Sequence, residues 1–181
     1  MNTPGPDYDF PPLKEEDLPL IRRWLLEPHV SRWWADPPRA TYPDDDLEEY
    51  RSRVRGGDDP TDLFLIRRGG RPVGLIQSYL IADHPQYAEA LAIDEPAAGI
   101  DLFIGEPGEI GQGHGPRIIR SFLRNVAFVR YAVALCVIGP SGRNARAIRA
   151  YEKAGFRYFK DAQVPDEPEP EHLMRIRRDE L

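Results

Sequence analysis

The segment GQGHG, residues 111–115, places three glycines between a strand-like apolar run and a helix-like run. Because glycine has no Cβ, backbone N–H groups in such a loop can approach phosphate oxygens closely, and the positive end of the next helix favours negative charge. The pattern indicates a site for a pyrophosphate-bearing ligand. The spacing matches neither GxGxxG nor the GK[ST] of a P-loop, so a plain strand-to-helix turn is the alternative interpretation.

A second segment of interest is NARAIRAYEKAGF, residues 144–156. Its periodicity predicts a helix in which Ile148 and Tyr151 share one face, while Arg146 and Arg149 lie on others. Taken alone, this pattern fits a half-buried packing role for Tyr151. The two segments together change that interpretation.

A glycine-rich turn followed about thirty residues later by N-x-x-A-x-x-x-Y-E-K-x-G-F resembles the two acyl-CoA-binding motifs of Gcn5-related N-acetyltransferases. The resemblance implies an α+β fold, with a mixed central β-sheet flanked by helices, and acetyl-CoA as the acyl donor. It implies that Gly113 and Gly115 hold the CoA pyrophosphate, that Asn144 contacts the cofactor arm, and that Tyr151 protonates the leaving thiolate. The cofactor-binding residues implied are Phe103, Ile104, Gly111, Gln112, Gly113, His114, Gly115, Pro116, Asn144, Arg146, Ala147 and Tyr151.

Four segments narrow the resemblance to aminoglycoside 6'-N-acetyltransferases: HVSRWW (29–34), VGLIQSY (73–79), GID (99–101) and RAIRAYEKAGF (146–156). This likeness covers roughly residues 8 to 160. It implies the 6'-amine of an aminoglycoside as acceptor and Asp101 as catalytic base. Aromatic faces stack on sugar rings and attract ammonium groups, and carboxylates pair with them. The implied substrate-binding residues are Trp33, Trp34, Gln77, Tyr79 and Asp101, with an acidic group from the connection at 83–95.

Two positions depart from the family pattern. Ile110 stands where the family loop usually opens with Gln or Arg, which weakens one expected pyrophosphate contact. Gly139 stands where the aminoglycoside enzymes carry an acidic residue before the proline. In those enzymes the acidic residue helps to bind the polyamine, so its absence here puts the antibiotic substrate in question but not acetyl transfer.

The chemistry places demands on Asp101. An alkylammonium of pKa near 10.4 must lose a proton before it attacks a thioester, and a carboxylate of pKa near 3.9 is a weak base toward it. The site must therefore lower the pKa of the amine, raise that of Asp101, or both. By family analogy, a backbone N–H of Phe103 or Ile104 is expected to stabilise the oxyanion. A strand-end carboxylate that caps a turn is the alternative role for Asp101.

Two other functions compete. Siderophore-type acyltransferases, which acylate hydroxylysine or a similar amine, share the fold, the loop and sequences resembling the WW and GID segments, and the missing acid at Gly139 favours them. They typically present a histidine near the strand aspartate, and none accompanies GID here. A non-catalytic acyl-CoA-binding module is the third possibility. The presence of both Asp101 and Tyr151 argues against it.

Periodicity predicts the elements that position these residues. Helices are expected at 17–26, where Pro28 stops the helix, at 44–54, over the apolar face of residues 118–126, and at 144–155. A hairpin with strands near 62–67 and 72–81 turns at Gly69-Gly70. Residues 82–98 form a long connection or a short irregular helix. Further strands are expected at 99–105, 131–139, 156–161 and 173–178, with a tail rich in Pro and Glu at 162–172, which gives a mixed α+β sheet.

Composition limits the class of protein. A chain of 181 residues with 41% hydrophobic content can build one core, so a single domain over residues 1–181 is expected. No run approaches the roughly 18 to 20 apolar residues of a membrane helix, and a cytoplasmic protein without a membrane partner is expected. The net charge of -6 argues against nucleic acid and suits a small cationic amine.

The cysteine and the histidines indicate neither a nucleophile nor a metal site. Cys136 lies within the apolar run AVALCVI, where a thiol is expected to be buried and not a nucleophile. The four histidines lack the spacing of a metal site, so no metal is expected. They are His29, His84, His114 and His172. The oligomeric state, monomer or homodimer, stays open.

Overall fold

The computed structural model describes residues 7–34, 41–165, 167 and 169–181. Its centre is a seven-stranded sheet in the order β1-β2-β3-β4-β5-β7-β6. Neighbouring strands are antiparallel except β4 and β5, which are parallel. The strands are β1 (Tyr8–Asp9), β2 (Asp62–Arg68), β3 (Arg71–Leu80), β4 (Ala97–Ile104), β5 (Leu135–Ile138), β6 (Arg157–Ala162) and β7 (Glu171–Arg177).

Helices cover both faces of this sheet, which confirms the predicted α+β class. A π-helical segment, Leu123–Ala127, joins α5 to α6. No helix of the described residues is long and apolar enough to cross a membrane. The α-helices are α1 (Leu18–Leu25), α2 (Pro28–Trp34), α3 (Asp44–Val54), α4 (Pro85–Leu91), α5 (His114–Phe122), α6 (Phe128–Arg130) and α7 (Ala145–Ala154).

The hairpin of β2 and β3 forms as predicted. The turn residues Gly69 and Gly70 have φ values of +55° and +79°. Two successive left-handed residues are what a tight two-residue hairpin turn requires, and only glycine adopts them without strain. The hairpin therefore fixes the register of the central strands.

Strand alternation divides the core into layers. On β3, Ile76 belongs to a cluster with α5 and α7 on one face, whereas Leu75 belongs to a cluster with α1, α2 and α3 on the other. A third cluster joins Leu91 of α4 to Leu173 of β7. The sheet is thus covered along both faces.

The parallel strands β4 and β5 separate halfway along β4. Their pairing ends at Gly99 opposite Val137, yet β4 continues to Ile104 while β5 stops at Ile138. Separation of two central strands opens a cleft in the middle of the sheet. This cleft positions the candidate site.

Backbone groups of β4 line this cleft. The Gly105 N–H donates to the Val73 carbonyl at 2.8 Å, so the N–H groups of odd-numbered residues of β4 face β3. The alternation of an antiparallel ladder then directs the backbone groups of Leu102 and Ile104 away from β3 and toward the cleft. The N–H of Phe103 faces β3.

Several predicted element boundaries were wrong. Helix α1 ends before Pro28 as predicted, but Pro28 also begins α2, which was not predicted, because proline in the first turn of a helix has no N–H to satisfy and its φ suits the helix. The strand predicted at 131–139 shrinks to Leu135–Ile138, since Ala132, with a φ of +53°, lies before it. The connection at 82–98 contains α4 and the start of β4. Positions 166 and 168 of the predicted tail lie outside the described residues.

Candidate active site

Two adjoining cavities occupy the cleft. The first, about 330 Å³, is lined by four carboxylates, Asp101, Glu167, Glu169 and Glu171, and is termed the acidic cavity. The second, about 580 Å³, is termed the basic cavity and is lined by Arg32, Arg143, Arg146, Arg149 and Lys153. The residues that line both cavities are Trp33, Trp34, Leu102, Asn144 and Tyr151. Ligands of opposite charge could therefore meet at this shared wall.

Asp101 lies on β4 directly opposite Gln77 of β3. Gln77 Nε2 donates to Asp101 Oδ2 at 3.1 Å, and the Tyr79 hydroxyl donates to the same oxygen at 3.2 Å. Burial raises the pKa of the Asp101 carboxyl, and these two hydrogen bonds act in the opposite direction. A raised pKa makes Asp101 a stronger base than an exposed aspartate.

The other amide atom of Gln77 is available. Gln77 Oε1 is buried and has no hydrogen-bond partner within the described residues. A buried acceptor without a partner is costly unless a ligand or water satisfies it. Gln77 lines the acidic cavity beside Asp101, so its side chain is placed where an incoming ammonium group would approach the carboxylate.

The position of Tyr79 depends on Gly99. A Cβ added at residue 99 would overlap the Tyr79 ring, so only glycine leaves room for that ring. Burial raises the pKa of Tyr79 well above its ordinary value, and the charge of Asp101 adds to this. Tyr79 therefore keeps its proton and remains a donor to Asp101.

A second carboxylate–tyrosine pair lies across the acidic cavity. The Tyr87 hydroxyl of α4 donates to Glu171 Oε2 at 2.9 Å. Burial and the charge of Asp101 raise the pKa of Glu171 to about 8, and the Tyr87 hydrogen bond lowers it. The Tyr79 and Tyr87 rings meet edge to face at 6.2 Å, so the two pairs are neighbours.

Glu171 and Tyr87 were missed by the sequence analysis, and an acid from the 83–95 connection was wrongly expected instead. Asp83, Glu89, Asp94 and Glu95 are exposed and do not line the acidic cavity, to which the connection contributes Tyr87. The acids come instead from β7 and the segment before it. Tyr87 follows exposed residues at the start of α4, and nothing in the sequence indicated that its side chain lines the cavity.

The two tryptophans differ in their surroundings. Trp34 Nε1 donates to the Tyr50 hydroxyl at 2.9 Å, and its ring packs edge to face on Phe103 at 4.8 Å. Trp33 keeps 40% of its surface exposed. Trp34 thus forms part of the rigid wall, whereas Trp33 offers its ring to a ligand.

The glycine loop lies at the mouth of the basic cavity. Gly111 and Gly113 have φ values of +80° and +76°, which other residues rarely adopt. Gly111, Gly113, Gly115 and Pro116 line the cavity at the start of α5. Gln112 is exposed and does not line it, unlike the rest of the predicted set. The loop and the nearby cations suit phosphate groups.

His114 supports the loop from inside the protein. Its Nδ1 lies 2.7 Å from the Tyr8 hydroxyl, and its Nε2 lies 3.0 Å from Glu109 Oε2. Glu109 also accepts a hydrogen bond from Arg68 at 2.9 Å. The imidazole is therefore engaged by β1 and the loop itself, which leaves only the backbone of His114 for a ligand.

Asn144 and Tyr151 belong to α7. Asn144 caps the helix, since its Oδ1 accepts from the Ala147 N–H at 3.1 Å. Arg146 and Ala147 line the basic cavity beside it. Tyr151 is buried, and burial together with the charge of Asp101 raises its pKa above the ordinary value. Tyr151 therefore holds its proton at the junction of the two cavities.

Residues 14–164 match the family described as Acetyltransferase (GNAT) domain. Aminoglycoside N(6')-acetyltransferase type 1 of Klebsiella pneumoniae is 29% identical over 156 residues, which are 86% of this chain and 77% of the relative. The crystal structure of aminoglycoside acetyltransferase AAC(6')-Ib with coenzyme A is similar at a TM-score of 0.81, 28% identity and 95% coverage of each chain. The structure of AAC(6')-Ib with ribostamycin and coenzyme A has a TM-score of 0.82 at 27% identity, covering 96% of this chain and 94% of that one.

Proposed function

We propose that this chain, which belongs to the GNAT acetyltransferase family, transfers the acetyl group of acetyl-CoA to the 6'-amine of an aminoglycoside. The observation that carries the proposal is the junction of an acidic and a basic cavity at Tyr151 and Leu102, beside Asp101. A polyanionic cofactor and a polycationic amine are thereby kept apart except where they react.

The basic cavity fits the cofactor. Gly111, Gly113 and Gly115 offer backbone N–H groups at the start of α5, and Arg146 approaches the loop. When bound, acetyl-CoA supplies the acetyl thioester. Its phosphates match the loop and the surrounding cations, and its arm matches the cleft between β4 and β5. Gln112 is not needed for this arrangement.

The acidic cavity fits the amine. An ammonium group beside Asp101 can donate to the carboxylate and to the unpartnered Gln77 Oε1. Trp33 offers an exposed ring to a sugar face. Removal of a proton by Asp101, directly or through water, then frees the amine lone pair for attack.

Two further groups of the chain act on the reacting atoms. The N–H of Leu102 or Ile104 faces the cleft and suits a developing oxyanion, whereas the N–H of Phe103 faces β3. Of the two donors expected from the sequence, strand geometry thus favours Ile104. Tyr151 holds a proton that can pass to the leaving sulfur. Alignment of the reactants in the cleft supplies much of the acceleration, roughly 7 to 11 kcal/mol.

The siderophore-type alternative loses support at Gly139. The missing acid there favoured a siderophore-type amine, but Glu171 places a carboxylate against that position. The non-catalytic alternative predicts tight acetyl-CoA binding without turnover, despite Asp101 and Tyr151.

The test is a turnover assay with acetyl-CoA and kanamycin-type aminoglycosides, hydroxylysine derivatives and peptides. We expect acetylation of the aminoglycosides at the 6'-amine, identified by mass spectrometry and NMR. Asp101→Asn should lower kcat at least 10²-fold and leave acetyl-CoA binding unchanged. Activity on another amine alone would exclude the aminoglycoside assignment, and full activity of Asp101→Asn would exclude its role as base.

A further inference from the structure

We propose that Glu171 is a second ammonium-binding carboxylate of the acidic cavity, which selects amines that carry at least two positive charges. This inference rests on the proposed function and assigns a specificity-determining residue to the same site. The carboxylate of Glu171 fills the space that a side chain at residue 139, a glycine, would occupy.

The geometry at Gly139 supports this assignment of Glu171. A Cβ added at residue 139 would overlap the carboxylate of Glu171, so the space of a side chain at 139 is filled by the end of Glu171. Residue 171 reaches this place because Ser141 and Glu171 form an antiparallel bridge beyond the end of β5. A side chain at 139 would therefore have to displace the carboxylate of Glu171.

Glu171 is also available to a ligand. Within the described parts of the chain, it forms no ion pair, and its hydrogen bond comes from the neutral Tyr87 hydroxyl. Its neighbour Glu169, in contrast, pairs with Arg143 at 2.9 Å. One carboxylate oxygen of Glu171 therefore remains for an ammonium group.

The two carboxylates form a matched pair. Tyr79 holds Asp101 and Tyr87 holds Glu171, and the tyrosine rings touch edge to face. Burial together with the charge of Asp101 raises the pKa of Glu171, because two negative charges in one cavity repel each other. A ligand with two ammonium groups can pair with both carboxylates, whereas a ligand with one leaves the other carboxylate without a counter-charge.

The experiment compares two acceptors that share the reacting ring: kanamycin, a polyamine, and methyl 6-amino-6-deoxyglucoside, which has one amine. In Glu171→Gln, the KM for kanamycin should rise at least tenfold with kcat within about twofold. The KM for the single-amine sugar should change less than twofold. Glu89→Gln, on the exposed face of α4, removes the same charge and should change neither KM.

A rescue experiment tests where in the acidic cavity the negative charge must lie. Glu171→Ala should raise the KM for kanamycin like Glu171→Gln, and Gly139→Asp added to Glu171→Ala should restore it to within about threefold. No recovery would overturn the claim that the Glu171 carboxylate replaces an acid at 139. Circular dichroism and acetyl-CoA affinity show whether each variant is folded.

Failure of the inference differs from failure of the proposed function. If the wild type acetylates kanamycin but Glu171→Gln has unchanged KM values, or raises them equally for both acceptors, the inference is wrong and the function stands. If the wild type does not acetylate kanamycin, calorimetry decides. If Glu171→Gln binds kanamycin tenfold more weakly than the wild type does, the inference on Glu171 is supported and the proposed function is not. If the wild type does not bind kanamycin at all, both the inference and the proposed function are overturned.

Discussion

Gln77 and Asp101 face each other across the β3–β4 ladder, and the amide of Gln77 donates to the carboxylate at 3.1 Å. The hydrogen bond favours the ionised carboxylate and lowers its pKa. Burial raises the pKa of Asp101 and this hydrogen bond offsets part of that rise, so Gln77 contributes to the pH at which Asp101 accepts a proton.

Gln77→Leu should shift the acidic limb of the pH profile of kcat/KM. Loss of the hydrogen bond raises the pKa of Asp101, so a smaller fraction is ionised at a given pH and the limb moves to higher pH. Steady-state kinetics from pH 5 to 9 measure this. An unmoved limb would show that another group titrates there, and Asp101→Asn, which should lack the limb, is the control.

Gly99→Ala should displace the Tyr79 ring. The added methyl overlaps this ring, so we expect a loss of about 1 to 3 kcal/mol in the free energy of unfolding, together with roughly tenfold lower kcat/KM for the amine. Urea denaturation measures the first and kinetics the second. In a Tyr79→Ala background the same substitution should cost much less stability. Equal costs in both backgrounds would contradict the proposed overlap.

Tyr151→Phe should lower kcat about 10²-fold with little change in acetyl-CoA binding, because the ring is kept and only the proton donor is lost. Stopped-flow measurement of thiol release tests this. Tyr158→Phe, at an exposed position of β6, is the matched control and should keep full activity. Wild-type rates in Tyr151→Phe would assign the hydroxyl a packing role alone.

Glu171→Gln should change how stability depends on pH. The pKa of Glu171 is raised from its ordinary 4.5 to about 8 in the folded protein, so the folded state binds more protons than the unfolded state between these values. The wild type therefore loses stability as pH rises through this window. Glutamine cannot ionise, and the variant should gain on the order of 1 to 3 kcal/mol over wild type between pH 5 and 9. Urea denaturation of the ligand-free proteins at both pH values measures it. A constant difference would contradict the raised pKa.

Local patterns were sufficient for much of the fold. The Gly69-Gly70 turn, the apolar face of α5 and the Gly155 end of α7 are each encoded within a few residues, and these elements were predicted. The two-residue strand β1 has no periodicity to detect, and it exists because it pairs with β2. Pro28 suits a helix start as well as a helix stop, and only tertiary packing decides between them.

The residues of the candidate site likewise fall into those that local motifs predict and those that depend on distant strand pairing. Gln77, Tyr79 and Asp101 could be named from motifs, and the structure brings them together through one antiparallel ladder. Glu171 could not, because residues 139 and 171 meet only through the pairing of β5 with β7 and the bridge beyond it. The absence of an acidic residue at position 139 therefore did not indicate whether a distant residue such as Glu171 supplies a carboxylate at the same place.

The opposite charges of the two cavities also act before any contact is made. Each cavity attracts its own ligand by long-range electrostatic steering and repels the ligand of its neighbour, so encounters in the wrong orientation are short-lived. The chain as a whole has a net charge of -6, which attracts a cation from every side, whereas the anionic ligand is drawn in only near the basic rim. Salt, which screens charges beyond about 8 to 10 Å, would slow the arrival of the polycation more than it slows that of the polyanion.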